Sequence, residues 1–141
     1  MSNGTPIRVL LIDRHEIVRS ALAASFESMA DIECVGEAED GEAGMRLCAE
    51  LLPDIVITEL HLAKISGVAL TQTLTQIYPQ IKVIALDTLQ HHDEIAPILE
   101  AGACKYLSKE VSIDELEQAM REVINAPLPN SDGYAQKAET G

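Results

Sequence analysis

Basic residues are the scarcest chemistry in this chain. Ten lysines and arginines stand against 23 aspartates and glutamates, a net charge of −13 over 141 residues. A nucleic-acid surface needs clustered cations to neutralise phosphates, so this composition argues against direct contact with DNA. Cysteine is sparse as well. Cys34, Cys48 and Cys104 form no CxxC and have no histidine at a ligand spacing, so their apolar neighbours point to buried structural thiols. No apolar run approaches the ~18–20 residues needed to span a bilayer, and the N-terminus lacks the basic-then-apolar order of a secretory signal. The expectation is a cytoplasmic protein with no membrane contact. Internal repeats are missing too, as is any nucleophile–base–orienter set, which argues against an enzyme.

What the chain does have is an alternation of short apolar runs and helical spacings. Runs at 7–12, 32–36, 54–59, 81–86 and 103–107 are rich in Ile and Val and too short for helices. Those near 9–12, 55–57 and 83–86 are apolar on consecutive positions, as strands covered on both faces must be. Between them, Ile17, Ala21, Leu22, Phe26 and Met29 recur at helical steps, as do Ala43, Leu47 and Leu51, then Val68, Leu74 and Ile77. Ile113, Leu116, Met120 and Val123 mark a last helix, opened by Ser112 and Glu115 at capping-box spacing. Asp40 is placed to cap the second helix, and Pro53 to end it. Pro97 is tolerable only in a first turn, so the fourth helix should begin near Asp93 to Ala96, with Thr88 to His92 irregular. A longer, Pro-kinked helix is the competing reading.

Five strands alternating with five helices predict an α/β, doubly wound (βα)5 fold of the flavodoxin and CheY type. Its parallel sheet has strand order 2-1-3-4-5. In that order the crevice lies beyond the ends of strands one and three. Those ends carry Asp13-Arg14 and Glu59, so two sites far apart in sequence meet in space. Residues 1–5 are expected to be disordered, 6–125 to form the domain, and 126–141, with two prolines and a glycine, to be a linker or tail.

At this point the residues resemble a family. Arg8-Val9-Leu10-Leu11-Ile12-Asp13, His15, Val18-Arg19, Val35-Gly36-Glu37-Ala38 and Asp40-Gly41 are similar to receiver domains of two-component response regulators. Pro53-Asp54-Ile55-Val56-Ile57, Ser66-Gly67, Ala101-Gly102-Ala103 and Tyr106-Leu107-Ser108-Lys109 continue the pattern, with a NarL/FixJ flavour. The resemblance implies transcription regulation, with DNA reached only through a separate C-terminal helix-turn-helix domain. It also implies an acidic pair that holds Mg²⁺, a phosphoaccepting aspartate, a hydroxyl reporter, a lysine and an aromatic switch. Matched position by position, the acidic pair is Asp13 and Arg14, the acceptor Glu59, the reporter Asp87 (with Thr88 one place late), the lysine Lys109 and the switch Tyr106.

Three of these depart from the pattern, and each departure opposes phosphoryl chemistry. Mg²⁺ wants oxygen ligands, and Arg14 offers none. Glu59 carries its carboxylate one methylene too far, where misplacement near 1 Å costs on the order of 100-fold. Asp87 sets an anion where a phosphoryl oxygen would arrive. The expectation is therefore a degenerate, phosphorylation-independent receiver with no cofactor, in which Arg14 replaces the metal, ties Glu59 or Asp13, and Lys109 closes the network. The frozen state would be active-like or unlike either form. It would act through a protein partner or as a homodimer, using helix four with strand and helix five, or helices one and five. Two alternatives stand beside it: a conventional phosphoacceptor using Glu59 or Asp87, and a small-molecule or metal sensor using the acidic crevice. Blander readings of the same residues are an Arg14 that snorkels into solvent and a Tyr106 that is merely half-buried. His61 and His91-His92 read as surface polar groups.

Overall fold

A computed structural model describes residues 5–88 and 92–126. The chain runs β1 (Ile7–Ile12), α1 (Glu16–Glu27), β2 (Ile32–Ala38), α2 (Gly41–Leu51), β3 (Ile55–Thr58), α3 (Gly67–Ile77), β4 (Lys82–Asp87), α4 (Ile95–Glu100), β5 (Lys105–Ser108) and α5 (Ile113–Ile124). The strands form one parallel sheet in the order β2-β1-β3-β4-β5. The sequence predicted this architecture, and each predicted strand lies within about two residues of its observed bounds.

The period of two along each strand divides the core. Val9 and Leu11 of β1, Ile55 and Ile57 of β3, and Ile84 and Leu86 of β4 face one side, where Phe26 of α1 and Leu116, Met120 and Val123 of α5 cover them. Leu10, Ile12, Val56, Val83 and Ala85 face the other, against Cys48, Leu70, Leu74 and Ile98 of the remaining helices. Consecutive apolar residues are thus required because both faces are dry. Burial of Cys48 pushes its thiol pKa up to about 12, which makes it an inert core residue. Cys34 and Cys104 are only half-buried, and all three are free thiols.

Caps place the helices. Asp40 accepts from the Ala43 N–H at 2.8 Å, and Ser112 and Glu115 form the full capping box. Pro97 sits in the first turn of α4, behind a 3₁₀ turn at His92–Glu94, as its missing N–H demands. The predicted irregular stretch from Thr88 to His92 falls partly outside the described residues, since 89–91 are not among them; so do residues 1–4 and 127–141 of the predicted terminus and tail.

Three predicted helix faces need correction, that of α5 only at Ile113, which lies in its first turn and is 37% exposed. Ile17 is 83% exposed and Ala21 is also exposed, whereas Leu22 and Phe26, with Met29 just past the helix, face the core as predicted and are joined by Ala23. Ile77 at the end of α3 is 57% exposed; Leu74 is buried as predicted, together with Leu70 and Thr71.

At the foot of the sheet, Arg121 of α5 makes paired bonds of 2.6 and 2.9 Å to Asp31, just before β2. Buried Lys82 donates to the Ala126 carbonyl at 2.9 Å, at the C-terminal end of α5.

Gly67 opens α3 directly beneath the end of β3. A Cβ there would collide with the Glu59 carbonyl and the Leu60 backbone. Gly67→Ala should therefore destabilise the domain by about 1–3 kcal/mol, read as a lowered urea midpoint with an unchanged slope.

Candidate functional site

Strand ends build the site. Asp13 follows β1, Glu59 follows β3, Asp87 ends β4 and Lys109 follows β5. All three acids are buried, at 6%, 2% and 3% exposure. Buried carboxylates need partners, and each has them.

The Lys109 ammonium lies between the first two acids, 2.8 Å from Asp13 Oδ2 and 3.0 Å from Glu59 Oε2. Glu59 Oε1 accepts the Arg14 backbone N–H at 2.8 Å. Burial acts to lower the Lys109 pKa, but the hydrogen bonds and charges of Asp13 and Glu59 outweigh it, and the net shift is upward. Arg14 departs from expectation. Its guanidinium does not occupy a metal position between the acids; the side chain is 59% exposed, with Nε 3.7 Å from Glu59 Oε1. Arg14 begins the chain's exit toward α1, which turns its long side chain outward while its main-chain N–H points in. Lys109 arrives from β5 with the reach to bridge both acids, so the cation that fills the centre is the lysine.

Asp87 does different work. Its Oδ2 accepts the Leu60 N–H at 2.8 Å and its Oδ1 accepts the Thr88 N–H at 2.6 Å. Leu60 is also held through its carbonyl by the Gly67 N–H at 2.8 Å, and its side chain is buried. The loop after Glu59 is therefore clamped at its first residue, and Asp87 is the clamp. Thr88 takes part through its carbonyl, which accepts the Tyr106 hydroxyl at 2.9 Å. Tyr106 packs against the core cluster beneath α2, α3 and α4, and burial and the nearby Asp87 and Glu94 charges raise its phenol pKa.

Two residues joined the site that residue-by-residue reasoning had not assigned to it. His15 Nδ1 lies 3.0 Å from Asp13 Oδ1 and 4.0 Å from Glu59 Oε2. Its N–H also donates to Asp13 Oδ1 at 2.8 Å, an Asx turn that the spacing Asp13-Arg14-His15 could have announced. Arg19, one turn on, donates to the Asp13 carbonyl at 2.6 Å and to Glu37 Oε1 at 3.1 Å. His61 sits apart at the surface, with Nε2 2.8 Å from Glu94 Oε1. His91 lies outside the described residues.

A parallel sheet in this order, with acids at three strand ends and a lysine at a fourth, places the chain among small doubly wound α/β domains with an acidic crevice. Residues 9–121 match the family model of the response regulator receiver domain, and the chain belongs to that family. It is a receiver domain of a response regulator and not a catalytic enzyme. It is 42% identical over 115 residues to the transcriptional regulatory protein LiaR of Bacillus subtilis, covering 82% of this chain and 54% of that protein. The response regulator GacA of Pseudomonas aeruginosa is 31% identical over 131 residues, covering 93% and 61%. The chain thus spans about half to three-fifths of these relatives. A LuxR-family response regulator from Aurantimonas superposes with a TM-score of 0.80 at 29% identity, covering 96% and 98%. The receiver domain of NarL from Mycobacterium tuberculosis, at 20% identity, shares the fold with a TM-score of 0.82, covering 87% and 99%.

Lys109→Met would leave two buried carboxylates facing one another without their ammonium. A loss of about 3 kcal/mol is expected, the low end for breaking a buried pair because the lysine keeps some exposure. Because the Lys109 pKa is raised, its stabilisation is fully present below the ordinary value of 10.5 and is lost as pH climbs through the higher folded value. Urea midpoints from pH 8 upward should converge for the two proteins only on that alkaline limb.

Proposed function

We propose that this domain signals without being phosphorylated, through protein contacts, within a regulator of transcription. The observation that carries this reading is the Lys109 ammonium bound to both Asp13 and Glu59, with the second Glu59 oxygen taken by the Arg14 N–H. Both Glu59 oxygens are already held by donors, so attack on phosphorus would have to break or redirect one of these contacts. The donor set also suits Mg²⁺ poorly. Octahedral oxygen coordination would have to draw on Asp13 and Glu59 against Lys109, and Arg14 contributes no oxygen. Asp87, where the family pattern has a hydroxyl, already holds the loop that a reporter hydroxyl would have to move.

Output would pass through a partner face and, in the parent protein, through a separate DNA-binding domain in the cytoplasm. Support comes from similarity to a transcriptional regulatory protein and from a net charge that opposes DNA contact by this stretch itself. Among the described residues, α1 offers a suitable surface. Ile17, Ser20, Ala21 and Ala24 are all exposed on one face and none is charged, so two copies meeting there would bring no like charges into contact on that face.

Incubation with acetyl phosphate and Mg²⁺ should leave the intact mass unchanged, and a gain of one phosphoryl group overturns the proposal. Sedimentation should show self-association that does not respond to acetyl phosphate and that Ile17→Glu weakens by at least about tenfold, since burying an unpaired charge at an interface is costly. Equal association of both proteins removes α1 from the interface.

A further inference from the structure

β2 is the outermost strand on one side of the sheet, so its outer edge pairs with no other strand. Such an edge offers main-chain N–H and C=O groups to any extended chain that reaches it. Beside it, between α1 and β2, lies a groove of about 420 Å³ walled by Phe26, Ile32 and Cys34, with Glu27, Glu33 and Glu37 at its rim. Glu27 ends α1 and Glu33 stands at the start of β2, so both mark one end of the groove, while Glu37 near the end of β2 marks the other. Glu27 and Glu33 are exposed and hold no ion pair or hydrogen bond among the described residues. Glu37 is shared with Arg19, whose Nε lies 3.1 Å from its Oε1. Burial raises the Cys34 thiol pKa, with smaller contributions from the Glu37 and Glu33 charges, so the wall of the groove carries no charge at neutral pH.

We propose that this groove and strand edge dock an extended basic segment of a partner protein, with an aliphatic side chain in the groove and a cation two residues to either side of it. Side chains on one face of an extended chain recur about 6.5–7 Å apart, so cations at those steps flank the anchor and point toward the two acidic ends. Charge selects this occupant. A second copy would set three glutamates against three at the rim. Residues 127–141 carry Lys137 against Asp132 and Glu139, so they bring no excess of positive charge either. The inference rests on the protein-contact half of the preceding reading and names the chemistry of the partner. It also joins that contact to the acidic crevice: Arg19 holds both Glu37 and the Asp13 carbonyl, so a cation arriving at Glu37 competes with a side chain that steadies the turn after β1.

The test uses the full chain and a fluorescein-labelled peptide with the core Lys-Thr-Leu-Thr-Lys, which reads the same in both directions, followed by anisotropy at about 0.15 M salt. One peptide per chain should bind, with saturation below about 1 mM. Replacing the leucine by serine should weaken binding at least about tenfold, because the burial of the anchor is lost. Glu27→Lys together with Glu33→Lys should weaken it by a similar factor, about tenfold or more. Glu50→Lys together with Glu100→Lys makes the same change of charge at exposed positions of α2 and α4, and should shift binding less than about threefold. No saturation up to millimolar peptide overturns the proposal, as does equal binding of the serine peptide, which would reduce the effect to attraction by the net charge of −13. Equal weakening by both charge-reversed pairs overturns it too. So does self-association of the unliganded chain that Glu27→Lys with Glu33→Lys alters while the peptide stays unbound, which would make the groove a contact between copies. Phosphoryl transfer from acetyl phosphate would defeat the phosphorylation-independent half of the preceding reading alone, because this titration contains no phosphodonor.

Discussion

One ammonium group holds the upper end of this sheet together. Lys109 leaves β5, crosses above β4 and reaches carboxylates that follow β3 and β1, so a single side chain ties strands that are not hydrogen-bonded neighbours. Without it, two carboxylates at 8% and 2% side-chain exposure would face each other in a medium that screens poorly. The attraction is strong enough that Lys109 stays charged despite burial, as the direction of its shift shows.

The buried acids have divided the work. Glu59 and Asp13 belong to a charge network centred on the Lys109 ammonium. Asp87 belongs to the backbone: its two oxygens fix the N–H groups of Leu60 and Thr88, and the neighbouring Thr88 carbonyl receives Tyr106. A hydroxyl could accept one such bond with comparable geometry, but a carboxylate accepts two at once and holds the adjoining loops in fixed relation. Changes at Glu59 and at Asp87 therefore act on different things, one on charge and the other on the path of the main chain.

The fold was legible because both faces of the sheet are dry, which makes β1, β3 and β4 apolar without interruption and sets them apart from amphipathic helices. Capping at Asp40 and Ser112 was equally open to reading, since a side chain and an N–H three residues on interact locally. The site was legible in its membership but not in its internal pairing. Which cation reaches the acids depends on the direction in which each long side chain leaves its strand, and no spacing encodes that. Arg14 was expected at the centre because it stands at the second position of the acidic pair, with Lys109 only closing the network; Lys109 is at the centre because β5 aims it inward. His15 went unassigned for a related reason, as its place rests on a two-residue turn around Asp13. Ile17 and Ile77 show the limit of helical periodicity, which locates a face but not which of its residues the fold covers.

The attachments of α5 carry a mechanical consequence. Its first turn is locked by Ser112 and Glu115, its middle is forked onto Asp31 by Arg121, and its end is hooked by Lys82 through the Ala126 carbonyl. The capping box sets where the helix begins, while Arg121 and Lys82 fasten its C-terminal half to the residue before β2 and to β4. A pull exerted on the chain past residue 126 therefore reaches the base of β4 through Lys82, while the acids stand at the far end of the same strand.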